Sequence, residues 1–223
     1  MCYLLNDNNV SLGFYKKPVK MEKAENKKNS TEMEQKYWDD RYKIQQTGWD
    51  LGKVSPPIYS YFENFGQKDV SILIPGCGNS YEAEALLALG FSDITIIDLS
   101  PTLVEKLKDK FNASPNIKVL TGNFFELEGN YDIILEQTFF CAIDPTMREN
   151  YERKCYDLLN TEGKIIGLLF NKTFEHGPPF GGSLEEYTDL FKNNFTIERM
   201  EECYNSIESR AGSELFISLA KRL

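Results

Sequence analysis

From Ser71 onward, short apolar runs of strand length alternate with segments whose apolar residues recur at helical spacing. The runs predict strands over 71–75, 94–97, 117–120, 131–135 and 165–170. Between the first two lies a helix over about 80–89, with Ala83, Leu86 and Leu87 on one face and Gly90 closing it. Ser100-Pro101 opens the next helix, as N-cap followed by a first-turn proline, and turns Leu103, Val104 and Leu107 inward. Asn112 to Pro115 end it, and a further helix is expected over 145–159. Such alternation implies an α/β fold, a doubly wound and mostly parallel sheet with helices on both faces. Past a helix over 183–192, the runs 195–200 and 215–219 stand too close for a crossover helix. They should therefore pair as an antiparallel hairpin at one sheet edge.

Residues 31–65, aromatic and helical in period, read as a cap ahead of the sheet, which makes 31–223 one domain without internal repeats. Residues 1–30 are rich in Asn and Lys, show no sustained period and read as a disordered tail. With six Lys against Asp7, Glu22 and Glu25, the tail is the only basic segment.

Composition narrows the classes. The 223 residues are 41% hydrophobic and 26% charged, ordinary for a soluble globular chain. The longest apolar stretch, Ile165 to Phe170, falls far short of the roughly 20 residues that span a bilayer. A net charge of −9 opposes counterion-release binding to nucleic acid and adhesion to anionic lipid, and suits a small uncharged or cationic ligand. Cys2, Cys77, Cys141, Cys155 and Cys203 form no C-x-x-C pair, so neither a disulfide framework nor a metal site is suggested. The first residues offer no signal-peptide pattern, and a cytoplasmic monomer is expected.

The candidate chemistry begins at Ile74-Pro75-Gly76-Cys77-Gly78-Asn79-Ser80, at a strand's C-terminal end and the start of a helix, where open α/β sheets bind ligands. Two glycines there let a ligand press against the backbone. Asp98 ends the next strand 20 residues after Gly78, where a carboxylate can accept both hydroxyls of a ribose. A nucleoside-containing cofactor follows. A dinucleotide fingerprint would need a small residue where Tyr81 stands. S-adenosylmethionine lacks a pyrophosphate and carries a cationic sulfonium, which an acidic protein with aromatic walls accommodates. Gly122-Asn123-Phe124-Phe125 then offers an amide and aromatic rings to an adenine, and the strand from Asp132 runs into Glu136-Gln137.

These segments, with Tyr37-Trp38-Asp39-Asp40-Arg41-Tyr42, Thr47-Gly48-Trp49-Asp50, Thr138-Phe139-Phe140-Cys141-Ala142-Ile143 and Gly177-Pro178-Pro179-Phe180, resemble the thiopurine and thiol S-methyltransferase family over residues 34–220. The resemblance implies a seven-stranded, Rossmann-like class I methyltransferase fold, S-adenosylmethionine as donor, and a small thiol or comparable soft nucleophile as acceptor. Related plant members also methylate halide and thiocyanate. Carried onto this chain, it implies that Trp38, Trp49, Gly76, Cys77, Gly78, Asp98, Leu99, Asn123 and Phe124 meet the donor, with Glu136 near its amino-acid end. Gln137, Phe139, Phe140, Pro179 and Phe180 would enclose the acceptor. Gln137 departs from the family, which carries Arg in animal thiopurine enzymes and Tyr in the plant ones.

Methyl transfer from a sulfonium is an in-line displacement that needs no protein nucleophile, so positioning should dominate. If a base is used, Glu136 and Asp50 are the candidates, with His176 placed rather as a loop-stabilising residue. Cys77 and Cys141, in apolar runs, read as buried thiols, and Arg148 and Arg210 as surface ion-pair partners. Trp38 and Trp49 suit lid packing as well as ligand contact. A nucleic-acid methyltransferase fits less well because the Pro-Pro-Phe follows the fifth strand rather than the fourth. A non-catalytic partner subunit would be expected to lose Asp98 or Gly76.

Overall fold

The computed structural model describes residues 19–223, with side chains from residue 31. Helix α1 (Val19–Lys43) and helix α2 (Pro56–Glu63) precede the sheet. Then follow β1 (Ser71–Pro75), α3 (Tyr81–Ala88), β2 (Asp93–Asp98), α4 (Pro101–Lys110), β3 (Ile117–Thr121), β4 (Tyr131–Gln137), α5 (Arg148–Leu158), β5 (Leu159–Phe170), α6 (Leu184–Phe191), β6 (Phe195–Glu202) and β7 (Glu214–Lys221). The strands form one sheet in the order β3-β2-β1-β4-β5-β7-β6, parallel from β1 to β5, with β7 antiparallel to both its neighbours.

The alternation of side chains along each strand makes the two cores. Ile72 and Ile74 of β1, Ile133 and Leu135 of β4 and Ile166 of β5 face one side, where α2, α3 and α4 supply Ile58, Phe62, Leu86 and Leu103. Leu73, Ile134 and Ile165 face the other, under Tyr151 and Cys155 of α5 and Tyr187 and Phe191 of α6. Near-continuous apolar strands follow from cover on both faces. The cap chemistry is local and holds: Ser100 accepts from Leu103 N, and Ser183 and Glu186 close a capping box on α6. Gly90 (φ +88°) ends α3, its N–H donating to Leu87 O and that of Phe91 to Leu86 O.

One expectation changes. Residues 19–30 are helical, continuous with the cap, and not an irregular tail, whereas residues 1–18 lie outside the described residues. The closing pair is the expected antiparallel hairpin at one sheet edge, with β7 inserted between β5 and β6 so that β6 is outermost. Among the described residues no helix is long and apolar enough to cross a membrane, and no cluster of His, Cys, Asp and Glu could hold a metal ion.

Candidate active site

The C-terminal ends of β1, β2, β3 and β4 converge at the point where the strand order reverses, between β1 and β4. Over them lies the C-terminal half of α1. Asp39 binds the start of α4, accepting from Ser100 Oγ (2.7 Å) and Thr102 N (2.9 Å), and Gln35 Nε2 donates to Leu99 O (3.0 Å). These bonds suspend a ladder of edge-to-face rings above the glycine loop: Tyr37 on Trp38 (5.0 Å between centroids), Trp38 on Trp49 (5.4 Å) and Tyr42 on Trp49 (5.7 Å). Tyr42 is buried one helical turn beyond Trp38, and its hydroxyl would stand 3.6 Å from a Cβ at Gly78. Sequence reasoning did not single it out, although the i, i+4 spacing from Trp38 was the available signal.

Asp98 is buried at the end of β2, its Oδ1 accepting from Ser100 N (2.9 Å) and its Oδ2 from Gly78 N (3.4 Å). Each oxygen keeps acceptor capacity for a further donor. Burial pushes its carboxyl up to about 6, against the lowering effect of the Ser100 and Gly78 amides, so it is ionised at neutral pH. A buried carboxylate with unused acceptor capacity, beside a glycine turn and under indole rings, fits the diol and sulfonium of S-adenosylmethionine. Asp98, Gly78, Leu99, Trp38 and Trp49 all lie at this end of β1 and β2.

Other placements depart from expectation. The room left at Gly76 (φ +53°) is taken by a protein ring, because a Cβ there would lie 2.3 Å from Cδ2 of Phe139. Asn123 turns its Oδ1 to Phe125 N (3.0 Å), capping a short 3-10 turn, and its Nδ2 to Thr31 Oγ1 (3.4 Å); the amide is thus shared between β3 and α1 instead of standing free for an adenine. Phe124 is core, packed between Phe139 and Tyr151, and Cys77 is a buried thiol held protonated because burial raises its pKa.

On the acceptor side, Gln137 and Phe139 are half-buried at the end of β4. Gln137 shares the face of Ile133 and Leu135, and its Oε1 is buried without a hydrogen-bond partner. Phe140 belongs to the core: it is 1% exposed, packed on Tyr151, Tyr187 and Phe191. Pro179 is exposed and Phe180 half-buried on a loop that Phe180 N fastens to Cys141 O (2.6 Å).

The base candidates are each engaged or remote. Glu136 is fully buried, its Oε1 accepting from Phe139 N and Phe140 N and its Oε2 from Tyr151 Oη, all at 2.8 Å. It therefore faces the turn below the site and not the reacting groups. Asp50 accepts from Gly52 N (2.7 Å), the Asn79 amide and Tyr81 Oη (3.3 Å), which ties the Trp49 loop to the start of α3. His176 is exposed.

Neither arginine is a surface ion-pair partner. Arg210 is buried, with Nη1 on Glu214 Oε1 (3.3 Å), Nη2 on Trp49 O (3.0 Å) and its guanidinium 5.3 Å from the Phe170 ring centroid. Arg148 donates from Nη2 to Gly181 O (2.6 Å) and lies over the Phe140 ring. Arg210 is the residue that sequence reasoning misjudged most, since its partner at Trp49 is 161 positions away.

A family model described as thiopurine S-methyltransferase matches residues 33–218. Thiocyanate methyltransferase 1 of Brassica oleracea is 30% identical over 187 residues, covering 81% of this chain and 80% of its own. The thiopurine S-methyltransferase of Pseudomonas fluorescens is 27% identical over 191 residues, 76% of this chain and 87% of its own. Among solved structures, the 1,6-didemethyltoxoflavin-N1-methyltransferase of Burkholderia thailandensis, determined with S-adenosylhomocysteine bound, superposes with a TM-score of 0.70 at 16% identity, over 89% of this chain and 90% of that one.

Proposed function

Since the chain belongs to the thiopurine S-methyltransferase family and is a methyltransferase dependent on S-adenosylmethionine, we propose that its acceptor is a small thiol of low pKa, taken up as the thiolate. The observation that carries this reading is the state of the three candidate bases. Glu136 is sealed beneath the 138–142 turn, Asp50 is held by Asn79, Tyr81 and Gly52, and His176 is exposed. With Glu136 and Asp50 both held by other donors, an acceptor that ionises on its own fits best, and aryl and heteroaryl thiols do so more readily than alkyl thiols, whose ordinary pKa is about 8.5.

When bound, S-adenosylmethionine supplies an electrophilic methyl group on a cationic sulfur. The chain's own work is then to hold and shield. Asp98 accepts the ribose hydroxyls, the Trp38, Trp49 and Tyr42 rings exclude water above them, and Phe139 with Gln137 positions the acceptor. The same reading takes residues 31–223 as one domain, monomeric and cytoplasmic, without a nucleic-acid partner. The buried free thiols Cys77, Cys141, Cys155 and Cys203 support it.

Calorimetric titration with S-adenosylmethionine and S-adenosylhomocysteine tests the donor, with Asp98→Ala as the control expected to lose binding. A thiol series of graded pKa, with thiocyanate and iodide beside it, tests the acceptor. The rate should track the thiolate fraction, and the acidic limb of the pH profile should move with each thiol's own pKa. A limb fixed at one pH for every thiol would show an enzymic base and sink the proposal; absence of donor binding by folded protein would favour a non-catalytic partner subunit.

A further inference from the structure

We infer that Tyr151 and Glu136 act together as a buried strut that positions Phe139 for methyl transfer, an inference that rests on the reaction proposed above. The relay is contiguous. Tyr151 Oη donates to Glu136 Oε2, and Glu136 Oε1 accepts from Phe139 N and Phe140 N, each bond 2.8 Å long. Phe139 in turn lies against Gly76, on the donor side of the site. One carboxylate thus joins α5 to the turn between Gln137 and Phe139, and that turn's ring touches the glycine loop.

Each end of the strut is fixed. Glu136 stands opposite Gly167 in the β4–β5 register, where a Cβ would come within 2.1 Å of Glu136 O, so the two strands are pressed together at that point. Tyr151 is 1% exposed, and its ring packs on Phe124, Phe139 and Phe140 at 5.6, 6.1 and 5.1 Å between centroids. Thr138 takes a left-handed conformation (φ +62°), which bends the chain back so that two consecutive amides reach one carboxylate oxygen. A fully buried carboxylate is tolerated only when such donors satisfy it. That a chain keeps one here, beneath a turn that apolar packing alone could have filled, matches a need for direction as well as cohesion. An in-line displacement has that need, because a shift on the order of 1 Å in the reacting geometry costs about a hundredfold in rate.

Tyr151→Phe isolates the strut, since the ring stays and only the hydroxyl leaves. The expected result is a fall of about tenfold in kcat at saturating thiol, with the Kd for S-adenosylhomocysteine unchanged within twofold. Glu136→Ala should lower kcat further. Glu136→Gln should recover part of that loss, because its amide can accept from the Phe139 and Phe140 N–H groups and donate to the Tyr151 oxygen. Hydrogen exchange of the ligand-free protein reads the strut without any turnover: the Phe139 and Phe140 amides should exchange faster in Tyr151→Phe than in the parent. Lower thermal stability with kcat and amide exchange unchanged would overturn the inference and leave a purely cohesive network. Faster exchange in Tyr151→Phe, when the parent methylates no thiol, would uphold the strut and reject the proposed reaction instead.

Discussion

The Asp39 carboxylate on α1 accepts a 2.7 Å hydrogen bond from the hydroxyl of Ser100, the residue that caps α4. A helix entering from the N-terminal side is thereby fastened to the end of β2, next to the buried Asp98. Burial works to raise the Asp39 carboxyl, but the bonds from Lys43, Ser100 and Thr102 together hold it well below the usual carboxylate range.

Removing that carboxylate should therefore loosen the lid. Asp39→Ala is expected to lower stability by about 2 kcal/mol, as for a hydrogen bond to a charged group, and Asp39→Asn by less. Because the folded-state pKa is depressed, the stabilisation is present above about pH 4 and is lost as pH falls below it. Thermal denaturation of the two variants across pH 2 to 8 checks both points, and equal melting curves for all three proteins would refute the fastening.

Donor affinity should depend on the protonation of Asp98 at a higher pH than for an exposed aspartate. Its carboxyl is pushed up to about 6, so the form that accepts two hydroxyls fades below that pH. Binding of S-adenosylhomocysteine should be flat from pH 7 to 8 and weaken toward a tenfold loss per unit below about pH 5. Titration at several pH values decides the matter; affinity unchanged down to pH 4.5 would mean that Asp98 does not meet the ligand.

Glu136 should make the ligand-free protein prefer mild acid. Burial raises its carboxyl from 4.5 to about 7, against the bonds from Phe140, Tyr151 and Phe139, so the folded state holds the proton more tightly than the unfolded one. The contribution is full below about pH 4.5 and is lost as pH rises through about 7. Relative to Glu136→Gln, which is neutral throughout, the parent should lose about 1–3 kcal/mol between those limits. A stability difference that stays constant from pH 4 to 8 contradicts this.

Arg210 offers a harsher substitution. Arg210→Ala leaves Glu214, 3% exposed, as an uncompensated buried carboxylate and frees the Trp49 carbonyl. A loss of about 3–5 kcal/mol is expected, with a change in tryptophan fluorescence as the Trp49 loop relaxes. Arg210→Lys should recover only part, since an ammonium cannot reproduce both bonds from one planar fork. If Arg210→Ala melts with the parent, the buried pair has been misjudged.

Gly76 tests the glycine loop. Gly76→Ala places a methyl group against Phe139 in a left-handed backbone, with two costs at one atom. The expected penalty is at least about 1–3 kcal/mol, with weakened donor binding. Gly78→Ala meets only ordinary contact with Tyr42 and should be milder, paying chiefly for φ +51°.

The strands, the glycine turn after β1 and the carboxylate that ends β2 were legible because their signals are local. Ser100-Pro101 announces a helix start, Ile94 to Asp98 a strand ending in a carboxylate, and Gly76 to Gly78 a turn, each within a few residues of its structural partner. The acceptor half was not. Glu136 looks like a base until α5 is folded over it and Tyr151 closes on its second oxygen, and Arg210 looks like a surface charge until the turn before β7 places it between Glu214 and the Trp49 carbonyl. Phe139 and Phe140 are adjacent and alike in sequence, yet one reaches Gly76 and the other the core. The 138–142 turn decides which, and nothing in the residue types themselves reveals that turn. The insertion of β7 between β5 and β6 is equally hidden, because a closing hairpin at a sheet edge shows the same pattern whichever of its strands adjoins β5.

That insertion bears on how the chain is made. During synthesis β6 emerges before β7, and until residues 214–221 are free the sheet is split: β5 presents a bare edge and β6 has no neighbour to hold it. The Arg210–Glu214 pair and its grip on Trp49 wait for the same moment. A nascent chain can thus hold a nearly complete glycine loop while its Trp49 loop is still untethered, and a premature stop between Glu202 and Glu214 would remove a middle strand instead of trimming an end.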